Sequence, residues 1–147
     1  MNAHDLAAKL AAGGAETLNS LLRGELAAVA SYDRAIAGFE GQPAAAELHH
    51  VRDDHAAAVA VLRERVARCG GTPADTSGPW GTLPAQAVGP ATTLKALREG
   101  EMHQVGEYEA ALAGDALDPD AKDAIRSVLL PRCREHVVEL DRLMAGK

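Results

Sequence analysis

Leu18, Leu21, Leu22, Val29, Tyr32 and Ile36 recur at three- and four-residue spacing, which predicts one helix with a single buried stripe from about Glu16 to Phe39. Gly41 and Pro43 end it, and Pro43 suits the first turn of the next helix, where its missing amide donor would have no partner. A second helix is expected from about Ala44 to Arg68, with Leu48, Val51, Ala58, Leu62 and Val66 inward, stopped by Gly70 and Gly71. From there to Pro90 the chain turns to Gly, Pro, Thr and Ser around its only tryptophan, Trp80, and reads as a connection over about residues 70–91. Its roughly twenty residues can run the length of a helix, so the helices on either side are free to be parallel. A third helix follows from about Thr92 to Ala113 on Leu94, Leu97, Val105, Tyr108 and Leu112, and a fourth from about Asp120 to Met144, which Pro131 should bend.

The two halves repeat. At an offset of 76 residues Leu18 falls on Leu94, Leu21 on Leu97, Gly24 on Gly100, Glu25 on Glu101, Val29 on Val105, Tyr32 on Tyr108 and Ala35 on Ala111. At an offset of 81 residues Asp54 falls on Glu135, His55 on His136, Val59 on Leu140 and Leu62 on Leu143. Two helical hairpins joined by a long crossover predict an all-α, antiparallel four-helix bundle of ferritin-like architecture, one domain over residues 1–147.

Composition agrees with helix: hydrophobic residues make up 47% with alanine dominant, while aromatics supply only 3%, leaving little to build strands. A formal net charge of -6 and the absence of a Lys/Arg run argue against a nucleic-acid partner. No apolar run approaches the roughly 18 residues of a membrane span, and the first residues lack the pattern of a signal peptide, so no membrane association and a cytoplasmic location are expected. Cys69 and Cys133 lie in no paired metal spacing and are expected as free thiols.

The candidate chemistry lies on the buried stripes. Glu25 stands four residues after Leu21 and four before Val29, and Glu101 holds the same place in the second repeat. His55 and His136 face inward by the same spacing argument. Glu25, His55, Glu101 and His136 should therefore meet at one level of the bundle, where unpaired carboxylates are costly to desolvate. A divalent metal would offset that cost, iron first, with manganese or zinc as alternatives. The competing arrangement is a metal-free polar cluster, each Glu bonded to a His or paired with an arginine such as Arg52 or Arg132. Tyr32 and Tyr108 share the stripe, within reach of the carboxylates or simply as core residues. Asp54, Glu135, Glu139 and Cys133 are further potential ligands. Glu47 and His50 form a Glu-x-x-His with no repeat partner and are expected on the surface, as are His4, His49 and His103.

The segments LNSLLRGELAAVASYDRAI, RDDHAAAVAVLRERV, SGPWG, LREGEMHQVGEYEAAL and LPRCREHVVELDRLM resemble bacterial ferritin-like bundles grouped as a domain of unknown function. The resemblance covers about Leu18 to Met144, and through the distant ferritins and rubrerythrins it implies a carboxylate-bridged di-iron centre. This chain departs from that pattern where a carboxylate should precede each histidine by three residues: those positions hold Arg52 and Cys133.

Three functions follow as expectations. The first is a metal-binding bundle with iron, oxygen or peroxide redox chemistry, with enzymatic activity left open. The second is a non-catalytic structural or stress-related bundle whose Glu/His cluster binds no metal. The third is an interaction module presenting Trp80 and the crossover. Homo-oligomerisation is open in each.

Overall fold

The computed structural model describes residues 2–77 and 89–146. They form α1 (Ala3–Gly38), α2 (Ala44–Arg68), α3 (Pro90–Ala113), α4 (Pro119–Ala124) and α5 (Leu130–Met144), the last two joined through a π-helical turn at Ile125–Leu129. Among the described residues there is no strand, and none of the helices is long and apolar enough to cross a membrane. The hairpin α1–α2 packs against the hairpin of α3 with the fourth helix (α4, the π turn and α5), giving the four-helix bundle that the repeat predicts.

Two features depart from the sequence expectation. The first helix begins at Ala3 instead of near Glu16, because the Asn2 side chain accepts the Asp5 amide at 2.8 Å and so caps an alanine-rich turn of high helix propensity. This added segment carries no buried stripe: Leu6 and Leu10 are 49% and 57% exposed, so periodicity could not register it. The second departure is that the fourth helix, expected from about Asp120 to Met144, is interrupted by the π turn just before Pro131. Proline offers no amide and its ring crowds the carbonyl four residues back, and just before it the chain widens into the π turn, with the Leu130 amide reaching the Ile125 carbonyl. Trp80 lies outside the described residues; the start of the crossover is tied to α1 by Asn19, which donates to the Thr72 carbonyl and accepts from the Ala74 amide, both at 2.9 Å.

The core comes in two parts. One cluster gathers Leu18, Leu22, Leu62, Val66, Tyr108, Ile125 and Leu129, and the other Tyr32, Phe39, Leu48, Val51, Leu97 and Leu140. Each buried aliphatic side chain contributes about 1.5–3 kcal/mol. Along α1 the buried Glu25 falls between the first group's Leu22 and the second group's Tyr32, so a polar layer sits inside the apolar bundle.

Candidate metal centre

Glu25, His55, Glu101 and His136 come from four different helices and are 1%, 2%, 2% and 4% exposed, so all four face the interior. His55 lies between the carboxylates, its Nδ1 2.5 Å from Glu25 Oε2 and its Nε2 2.5 Å from Glu101 Oε1. An ionised carboxylate can only accept, so an imidazole that serves both partners donates from both nitrogens and carries the positive charge. His136 approaches Glu101 Oε1 through Nδ1 at 3.3 Å and Asp54 Oδ2 through Nε2 at 2.8 Å. The two imidazole rings lie 4.8 Å apart.

The tyrosines cross between repeats: the Tyr32 hydroxyl donates to Glu101 at 2.8 Å and the Tyr108 hydroxyl to Glu25 at 2.7 Å. Tyr32 also stacks on His55, centroids 5.4 Å apart. Gln104 has no counterpart in this pattern, since the first repeat has Ala28 in its place. Its amide donates to the Leu21 carbonyl at 3.1 Å and to Glu25 Oε1 at 3.3 Å. The sequence reading missed it because it does not repeat; its signal was the one-turn spacing from Glu101 along the buried stripe.

Gly24 makes room for that amide, because a Cβ there would lie 2.2 Å from Gln104 Oε1, whereas a Cβ on its repeat partner Gly100 meets nothing within 4 Å. Opposite outcomes are expected for one substitution. Gly100→Ala should stabilise by about 0.5–1 kcal/mol through helix propensity. Gly24→Ala should destabilise by about 1 kcal/mol net, because displacing a buried, bonded amide costs about 1–3 kcal/mol. Urea unfolding of the two variants checks the contrast.

Electrostatics follow the contacts. Burial alone disfavours the His55 imidazolium, but the charges of Glu101 and Glu25 and their hydrogen bonds outweigh it and hold the pKa well above the ordinary histidine value. Burial likewise opposes ionisation of Glu101, yet the His55 charge and the bonds from His136 and His55 bring it down to about 2. His136 is raised against its own desolvation by the bond to, and charge of, Glu101. Burial and then the neighbouring carboxylate push Tyr32 and Tyr108 up, so both remain phenols that donate. Burial and the charges of Glu25 and Glu101 push the Cys133 thiol up as well.

The remaining candidates scatter. Arg52 leaves the centre for Asp33 at 2.9 Å, Glu139 pairs with Arg142, and Glu135 is exposed. Glu47, His50, His4, His49 and His103 are exposed, as expected, and His103 approaches Glu107 at 3.6 Å. Both cysteines are free. Donor atoms of His55, Glu101 and His136 all lie within 4.8 Å of one another, while Glu25 sits one hydrogen bond further out, behind His55.

No protein-family model matches the chain, and no curated protein does. Solved structures do. A ferritin-like di-iron carboxylate protein of Bacillus anthracis is similar over 98% of this chain and 99% of its own, at 21% identity and a TM-score of 0.76. The bacterioferritin of Rhodobacter capsulatus, described with a metal-free dinuclear site and haem iron, is similar over 91% of this chain and 84% of its own, at 23% identity and a TM-score of 0.76. The fold is therefore that of the ferritin-like helical bundles.

Proposed function

We propose that this chain is a metal-binding bundle, with Glu25, His55, Glu101 and His136 as the residues of its metal centre and iron as the ion. The observation that carries the reading is the convergence of two imidazoles and a carboxylate, His55, His136 and Glu101, in a nearly dry interior. Nitrogen and carboxylate donors suit iron, and the two structural relatives are iron proteins by description. Bound iron supplies one-electron chemistry toward oxygen or peroxide. The chain's own residues surround the ion with apolar side chains that limit water, and Tyr32 holds a phenolic proton 2.8 Å from Glu101, ready to follow charge changes on that carboxylate.

One observation favours the metal-free alternative: among the described residues, every buried side-chain nitrogen and oxygen already has a hydrogen-bond partner. The two readings separate by experiment. A ligand that binds only the folded state at 100 times its dissociation constant adds about 2.7 kcal/mol, which is a rise of several degrees in Tm for a domain of this size. Chelator-treated protein should show that rise with ferrous iron, tested beside manganese and zinc, and elemental analysis should find stoichiometric metal. The rise should vanish in His136→Gln and in the His55→Gln/His136→Gln variant, whose helical content is checked by circular dichroism. No rise in wild type with any of the ions, or an equal rise in the variants, would leave the cluster a structural one.

A further inference from the structure

We infer that the centre takes a single ion, held by Nε2 of His55, a carboxylate oxygen of Glu101 and Nδ1 of His136, with Glu25 and Asp54 as positioning residues behind the two imidazoles. This rests on the metal-binding reading above and differs from the dinuclear centres of the structural relatives.

Both histidines are oriented in the same way. Each has one nitrogen toward Glu101 and the other on a second carboxylate: His55 Nδ1 lies 2.5 Å from Glu25, and His136 Nε2 lies 2.8 Å from Asp54. Metal-bound imidazoles commonly have this arrangement, in which the far N–H is donated to a carboxylate that fixes the ring and raises its basicity. The inner donor atoms of the three residues all lie within 4.8 Å of one another, close enough for one ion to draw them together. Two donors each about 2.1 Å from a metal at right angles are about 3.0 Å apart, and Glu101 Oε1 lies 2.5 Å from His55 Nε2 and 3.3 Å from His136 Nδ1. Two histidines and one carboxylate complete a facial triad that leaves coordination positions open.

A second ion finds no comparable set. A dinuclear bundle draws a Glu from two helices and a Glu-x-x-His from each of the others. Here the residues three before each histidine are Arg52, which has turned out to Asp33, and Cys133, so neither supplies the carboxylate. Glu25, which would have to serve that ion, spends Oε2 on His55 and Oε1 on the Tyr108 hydroxyl and the Gln104 amide. Gln104 occupies the space opened by Gly24, and no such group stands at its repeat counterpart, Ala28. The sequence repeat pairs Glu25 with Glu101 and His55 with His136, but their surroundings differ.

Metal-free protein titrated with manganese(II) tests this, read by equilibrium dialysis with elemental analysis and by electron paramagnetic resonance. One manganese per chain with the spectrum of an isolated ion is expected. Glu101→Gln should weaken binding by more than about 100-fold, whereas Glu25→Gln and Asp54→Asn should keep one site that is about 10- to 100-fold weaker. Because Asp54 is only half-buried, Asp54→Asn gives a folded variant even if Glu25→Gln does not, and it should change the zero-field splitting of the bound ion. Two ions per chain with an exchange-coupled spectrum would overturn the single-ion centre while leaving metal binding intact. Glu25→Gln losing binding as completely as Glu101→Gln would also overturn it. No manganese bound by wild type would overturn this inference and the metal-binding reading together.

Discussion

A His55→Gln variant is expected to lose about 3–5 kcal/mol of stability in metal-free protein near pH 6, which makes this ring the most consequential polar side chain of the bundle. The imidazolium lies 2.5 Å from both Glu25 and Glu101, and both carboxylates are almost wholly buried. Glutamine keeps a similar volume but brings no charge, and its amide can donate toward only one of the two sides, leaving two buried anions without a cation between them. Tyr32 and Tyr108 continue to donate to them, but neutral hydroxyls bring no compensating positive charge. His136→Gln should cost less, about 1–2 kcal/mol, because Glu101 keeps His55 and Tyr32, and Asp54 retains access to solvent. The His55→Gln loss should shrink in acid, where the stranded carboxylates can take up protons. Urea unfolding with chelator present measures it; a loss below about 1 kcal/mol would mean that His55 is not the cation holding the two glutamates together.

Much of this centre was legible because it is written twice. The repeat put Glu25 over Glu101 and His55 over His136, and helical spacing then fixed their facing, which burial of all four bears out. The second helix was readable to its ends, from Ala44 to Arg68, since Pro43 and the Gly70–Gly71 pair are strong local stops. What remained hidden was whatever the repeat does not copy. Gln104 breaks the symmetry, since Ala28 stands at its repeat position, so matched pairs do not reveal it. Asp54 was one unranked candidate among four, because facing alone cannot distinguish a half-buried carboxylate that meets His136 from Glu135, which stays in water. The metal-free pairing of the carboxylates with histidine could be anticipated, but Arg52 as a partner for the glutamates could not survive the geometry: it pairs with Asp33 on the outer face of α1. The N-terminal extension of α1 was invisible for a different reason. It depends on a cap and on alanine propensity, and burial leaves no imprint on an exposed stretch.

The second large effect concerns pH, and metal should offset it. His55 and His136 are both raised above the ordinary histidine value of 6.5 in the folded chain, so each contributes stability that is fully present below about pH 6.5 and is lost as pH rises through its folded pKa. Glu101 behaves oppositely: lowered from 4.5 to about 2, it contributes stability above about pH 4.5 that is lost as pH falls toward 2. Metal-free protein should therefore be most stable between about pH 4.5 and 6.5, and above that window each histidine should remove about 1.4 kcal/mol per pH unit until it has titrated. A metal ion competes for the inner nitrogens of the same two rings, so its binding displaces their protons and strengthens as pH rises. The replacement nearly conserves charge, since two protons leave as a divalent cation arrives. The metal-induced rise in Tm should accordingly be small at pH 5 and several degrees at pH 8, where the metal-free bundle is weakest. Denaturant unfolding from pH 5 to 9, with chelator and with iron or manganese, measures both limbs. Stability of the chelated protein that holds level or climbs between pH 6.5 and 8 would show that the histidines are neutral in the folded state, and the charge pairing described for His55 would then be wrong.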